Sequence, residues 1–138
     1  NTEKVVSMAN MFENCFALTD INISNWNVGS VSYMDNMFKN CFALKTIDLS
    51  GWTLRESGGV GMGAMFKMEG TKGTTTLTTI YVGSGWNKEK INSGSDMFDD
   101  CTSLVGVTSK GVQTVFDTSK EGSDYAYVGE GGYLSEKK

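Results

Sequence analysis

MANMFENCFALTDINISNW at residues 8–26 and MDNMFKNCFALKTIDLSGW at residues 34–52 are two versions of one unit. Met8, Met11, Phe12, Cys15, Leu18, Ile21, Ile23 and Trp26 return 26 residues later as Met34, Met37, Phe38, Cys41, Leu44, Ile47, Leu49 and Trp52. Farther along, a third version starts at Met62, Met65 and Phe66, is stretched by the insert MEGTKGTTT, and resumes at Leu77, Ile80, Val82 and Trp86. A fourth shows Met97, Phe98, Cys101, Leu104 and Val107, then fades. Self-similarity at a period of this length is the mark of a repeat array, because one such unit cannot bury its own apolar face and must stack on its neighbours.

Each unit divides into two halves with different apolar spacing. In the first half, Val5, Met8, Met11 and Phe12 stand at offsets of 0, 3, 6 and 7, and Val31, Met34, Met37 and Phe38 repeat them. That spacing predicts one apolar stripe on a short helix. In the second half, Leu44, Ile47 and Leu49 follow the L-x-x-L-x-L spacing of a leucine-rich repeat, as do Leu18, Ile21 and Ile23, and Leu77, Ile80 and Val82. The last two apolar residues of each set point the same way from a short strand. The expected fold is therefore an α/β leucine-rich-repeat-like solenoid with a parallel sheet, one short helix and one strand per repeat. Residues 1–110 form the array of about four units, and residues 111–138 a C-terminal β cap with a frayed tail. In the cap, Val112, Thr114 and Phe116 alternate, as do Tyr125 and Tyr127, which predicts strands over the open end of the sheet. Glu136, Lys137 and Lys138 are expected to fray.

The combination M-x-x-M-F-x-x-C-x-x-L-x-x-I-x-[IL]-S-x-W in the first two units resembles the BspA-like leucine-rich repeat surface proteins, a group overlapping a repeat family of mycoplasma surface proteins. The resemblance covers residues 5–108 and weakens where Glu69 stands near the expected Cys of the third unit. It implies a bacterial cell-surface or secreted protein, and adhesion to host matrix proteins or other bacteria as the activity of some members. No catalytic motif comes with it, and the residues that match are core positions.

Composition excludes several classes. The formal net charge is −4 and the chain has no His, so it lacks the clustered cations that nucleic acid requires and the commonest general base and zinc ligand. No apolar run approaches the roughly 18 to 20 residues of a membrane span, so no membrane insertion is expected of this segment. The chain starts at Asn1 without a leader, which reads as a piece of a longer protein. Cys15 and Cys41 hold one repeat position and are expected to stack as small hydrophobes rather than to bridge. Asp96, Asp99 and Asp100 do not fit a calcium loop, and the Met stripes are packing rather than a metal site. No nucleophile stands with a base, so neither an enzyme nor a cofactor is expected.

What remains is the outward side of the strands. If Ile21, Ile23, Ile47, Leu49, Ile80 and Val82 point inward, then Asp20, Asn22, Thr46, Asp48, Thr79 and Tyr81 point outward and form the candidate interaction face. Tyr81 is its best anchor, because aromatics dominate interface hot spots. The insert Glu69 to Thr76 is a second candidate, since insertions in repeat arrays map to loops. The expected function is a non-catalytic extracellular interaction or adhesion module at the cell surface, whose partner is a host matrix or other surface protein or a glycan. The alternative is a structural spacer that displays another domain.

Overall fold

A computed structural model describes residues 1–70 and 75–137. Most of it is turn and coil. The strands are short: β1 (Thr46–Leu49), β2 (Val60–Gly61), β3 (Thr79–Val82), β4 (Ile91–Ser93), β5 (Val105–Val107), β6 (Gln113–Val115) and β7 (Ser135–Glu136). Two 3-10 turns, Lys88–Lys90 and Ser123–Tyr125, complete the regular structure among the described residues.

There is no α-helix among the described residues, which corrects the expected helix in each unit. The reason lies in residues that the apolar stripe passes over. Asn10, Asn14, Asn36 and Asn40 have φ of 59°, 59°, 56° and 60°. Each of the first two units thus turns left-handed twice, four residues apart, and a left-handed residue cannot continue an α-helix. Ala64, Asp96 and Asp100 adopt the same conformation in the later units.

Backbone hydrogen bonding follows from these turns. Met11, Glu13 and Cys15 donate three residues back, to the carbonyls of Met8, Asn10 and Phe12. The alternate residues Met8, Asn10, Phe12 and Asn14 donate instead to the carbonyls of Tyr33, Asp35, Met37 and Lys39 in the next unit. Met34, Asn36, Phe38 and Asn40 donate in turn to Gly61, Gly63, Met65 and Lys67, and Met62, Ala64, Phe66 and Met68 to Ser93, Ser95, Met97 and Asp99. A helix would satisfy its own backbone. These overlapping turns give half of their N–H groups to the neighbour, so they tie unit to unit. They also bring residues three apart to one face, as a helix does, which is why the apolar spacing does not tell the two apart.

In the second half of the units, β1 and β3 pair in parallel, with Ile47 beside Ile80 and Leu49 beside Val82, all buried. The equivalent stretch of the first unit, Leu18–Ile23, forms no strand. β2 and β4 pair in parallel, and bridges from Ser7 to Tyr33 to Gly61 extend that row toward the first unit. Phe12, Phe38, Phe66 and Phe98 form a column of stacked rings with centroids 5.5, 5.8 and 5.7 Å apart. Trp52 is fully buried, and its indole N–H donates to the Ile23 carbonyl at 2.8 Å. Gly51 and Gly83 end the strands where an added Cβ would overlap the carbonyl oxygens of Ser24 and Ser50 in the preceding unit. Close approach of units thus requires glycine there.

The C-terminal segment departs from expectation in detail. β6 pairs antiparallel with β5, but Tyr125 lies in a 3-10 turn rather than a strand. Glu136, read as frayed, belongs to β7, which joins the sheet in the order β1-β3-β7, parallel to β3. Buried Tyr133 and Leu134 anchor the segment just ahead of it, and the Ser135 hydroxyl accepts from the Val107 N–H at 3.0 Å. Lys137 is also held, by Asp48, while Lys138 lies outside the described residues.

Candidate interaction surface

Strand alternation places Thr46 and Asp48 of β1, and Thr79 and Tyr81 of β3, on the side opposite the buried residues. Parallel pairing sets Thr46 beside Thr79 and Asp48 beside Tyr81, and Ser135 of β7 lies on the other side of Tyr81. Four of the six residues singled out in the sequence are thus brought together. Asp20 and Asn22 are exposed but lie in coil, outside the sheet.

The face is less acidic than its sequence suggests. The Asp48 carboxylate accepts from the Ser50 N–H at 3.0 Å and from the Lys137 ammonium at 2.5 Å. Burial works to raise its pKa, but the hydrogen bonds from Lys137 and Ser50 outweigh it and hold the carboxyl below its ordinary value. Lys137, given to the tail in the sequence reading, is therefore part of this face. Of the insert, Thr75 and Thr76 are tied down. The Thr75 hydroxyl lies 3.3 Å from those of Thr102 and Ser103, and the Thr76 hydroxyl donates to the Phe42 carbonyl at 2.8 Å. Residues 71–74, the centre of this second candidate, lie outside the described residues.

A groove of about 790 Å³ opens at the C-terminal end of β3. It is lined by Trp86, Lys88 and Glu89 from the turn after β3, and by Lys110, Val112 and Tyr127 from the C-terminal segment. Both aromatic rings are held by their polar atoms. The Trp86 indole N–H donates to the Ala126 carbonyl at 2.9 Å, and the Tyr127 hydroxyl to the Glu130 carbonyl at 2.8 Å. What they offer a ligand is ring surface that loses little conformational freedom on binding. The Lys88 ammonium sits 6.0 Å from the centre of the Tyr127 ring and 2.9 Å from the Glu89 carboxylate, whose hydrogen bond raises the Lys88 pKa. Val112 is 48% exposed. A patch of rigid aromatic and aliphatic surface rimmed by charges of both signs fits a recognition site. In the sequence Trp86 stands only as a repeat position, so the groove is not legible there. Its two aromatics lie about 40 residues apart, and only the C-terminal turn brings them together.

The buried thiols of Cys41 and Cys101 are poorly suited to nucleophilic work. Cys15, Cys41 and Cys101 are free. Burial first, then the neighbouring Cys15, pushes the Cys41 pKa up to about 11. Burial, followed by the charges of Asp99, Asp100 and Glu121, pushes Cys101 well above its ordinary value. The fold brings Glu121 to Asp96, Asp99 and Asp100, and its pKa is raised by burial and then by Asp99. Lys67 meets that group, 2.8 Å from Asp99. Among the described residues no helix is long and apolar enough to cross a membrane.

Over residues 1–78 the chain matches the model of a family described as "Mycoplasma protein of unknown function, DUF285". The matched stretch ends just before β3, so the groove lies outside it. No curated protein and no solved structure matches the chain.

Proposed function

The chain belongs to this Mycoplasma DUF285 family, and within it we propose that the protein is a non-catalytic interaction or adhesion module of a bacterial surface protein. Its architecture is read as a leucine-rich-repeat-like solenoid in which turns take the place of helices. The BspA-like pattern of the first two units supports placement at the cell surface. Its partner is a host matrix or other surface protein, or a glycan.

The observation that carries this reading is the groove at Trp86 and Tyr127, where two partly exposed rings pinned by their polar atoms line the surface with Val112. The test is direct binding of the chain to immobilised matrix glycoproteins and glycans, with Trp86→Ala and Val112→Asp run alongside. Val112 is exposed, so its substitution leaves the fold intact and keeps the test valid if the Trp86 variant is destabilised. At least one panel member is expected to bind, with each variant weakening it by tenfold or more, the scale of a hot-spot truncation. Binding by none, or equal binding by folded variants, overturns the reading.

A spacer is the competing reading. The observation in its favour is the sheet face itself, which is small and polar and whose Asp48 charge is already matched by Lys137. A spacer predicts that Tyr81→Ala, Trp86→Ala and Val112→Asp all leave the parent protein's binding unchanged.

A further inference from the structure

The stack of units is closed at one end and open at the other. At the C-terminal end, Tyr133 covers the ring of Phe98, and Phe116 and Tyr125 pack around Tyr133. The Phe98 N–H, which in earlier units would donate to a following unit, donates to the Glu121 carbonyl at 2.7 Å.

At the opposite end, the first unit has the same residues without the same burial. Phe38, Cys41, Leu44, Ile47 and Trp52 are all 0% exposed, whereas Phe12, Cys15, Leu18, Ile21 and Trp26 are only partly buried. Met11 is 43% exposed against 0% for Met37, and Phe16, stacked at 5.7 Å on Phe42, is 58% exposed. This is a contiguous apolar and aromatic surface of the kind that marks an interaction site.

Its polar groups state what covers it. In the interior units, alternate carbonyls accept N–H groups from the preceding unit. The first-unit counterparts, the carbonyls of Ser7, Ala9, Met11 and Glu13, accept no backbone N–H among the described residues. The asparagine amides run the other way: Asn36 donates to the Asn10 side chain at 3.0 Å and Asn40 to the Asn14 side chain at 2.8 Å. Beside them a column of charge passes from Glu13 to Lys39, Lys67 and Asp99, with Lys39 3.8 Å from Glu13. A complementary surface therefore presents alternate backbone N–H groups, asparagine carbonyls and a cation. A second copy of this chain does not supply it. Two first-unit faces brought together would set carbonyl against carbonyl with no free N–H to offer, and the far end of any copy is closed by Tyr133.

We propose that the first-unit face is a docking surface for one further unit of the same repeat, lying ahead of Val5 in the polypeptide. That unit carries Asn at its two left-handed positions, Phe in the Phe12 column and Lys or Arg in the Glu13 column. The proposal stands on the hydrogen-bond ladder and is independent of what the groove binds.

Tandem duplication of residues 5–30, inserted between Lys4 and Val5, tests it in the full chain. In the added copy Glu13→Lys supplies the cation and Cys15→Ser leaves the original Cys15 as a reporter. Docking is expected to slow labelling of the original Cys15 by a water-soluble thiol reagent at least tenfold and to raise the melting temperature. The same insert with Asn10→Val and Asn14→Val in the copy, which cannot turn left-handed, is expected to give no protection. A duplicated chain that keeps Cys41 and Cys101 protected yet labels Cys15 at the original rate overturns the proposal. Concentration-dependent protection of Cys15 in the unmodified chain, accompanied by dimer in sedimentation, overturns it too, because a second copy would then be the occupant.

Discussion

Tyr133 stands edge-on to Phe98, with 5.4 Å between ring centroids and 78° between ring planes, at the end of a column whose other rings lie within 16° of parallel. An edge directed at a ring face is favourable because the two carry opposite partial charge. The perpendicular ring also ends the column, since it offers no parallel face for another Phe. Its hydroxyl is fixed at the Asp117 backbone, accepting from the N–H at 3.0 Å and donating to the carbonyl at 3.2 Å.

Tyr133→Ala is expected to destabilise the fold by about 3–5 kcal/mol, the range for truncating a buried aromatic. Tyr133→Phe keeps the ring and is expected to cost about 1–3 kcal/mol through the lost hydrogen bonds. Urea denaturation measures both, and equal losses would show that the hydroxyl rather than the ring closes the stack.

Trp52→Ala is expected to cost about 3–5 kcal/mol, because the ring is fully buried and its removal also takes from the Ile23 carbonyl one of its two donors, leaving the Trp26 N–H. Asp48→Ala removes a half-exposed ion pair with Lys137 and is expected to cost under about 1 kcal/mol. Comparable losses in denaturation would contradict the inward and outward assignment of the second unit.

At Asn36, with φ of 56°, Ala is expected to be worse than Gly. Both substitutions lose the hydrogen bond to Asn10, but only Ala adds the roughly 1–2 kcal/mol strain of the left-handed region. Melting curves of the two variants should separate in that order. The reverse order would place the residue in a helix after all.

Raising the pH should destabilise the fold through Cys41. Its pKa is raised in the folded state from 9.0 to about 11, so the folded chain holds the thiol proton more tightly than the unfolded chain. The resulting contribution is complete below pH 9 and is lost as the pH rises toward 11. Cys41→Ala should make the loss of stability over that interval shallower, the remainder coming from Cys101, whose pKa is raised in the same direction. At pH 8 the native chain should label at Cys15 alone, the one partly exposed thiol, with Cys41 and Cys101 reacting only on unfolding.

The repeat was legible in the sequence because burial leaves a periodic trace. Met34, Phe38, Leu44, Ile47, Leu49 and Trp52 had to be apolar, and their spacing predicted the parallel partnership of β1 with β3 and the common side of Thr46, Asp48, Thr79 and Tyr81. The turns in place of helices were legible only in part. Asn10, Asn14, Asn36 and Asn40 recur as regularly as the methionines, but an asparagine's left-handed φ leaves no apolar spacing to read.

The placement of Lys137 on Asp48, of Tyr133 on Phe98, and of Tyr127 with Trp86 in one groove was decided by tertiary structure alone. Each joins residues tens to about ninety positions apart and occurs once, so no period records it. By itself the sequence determined what every unit shares, because repetition turns packing into a pattern. The ends of the stack and the groove depend on contacts made once, between segments whose positions are set only when the chain has folded.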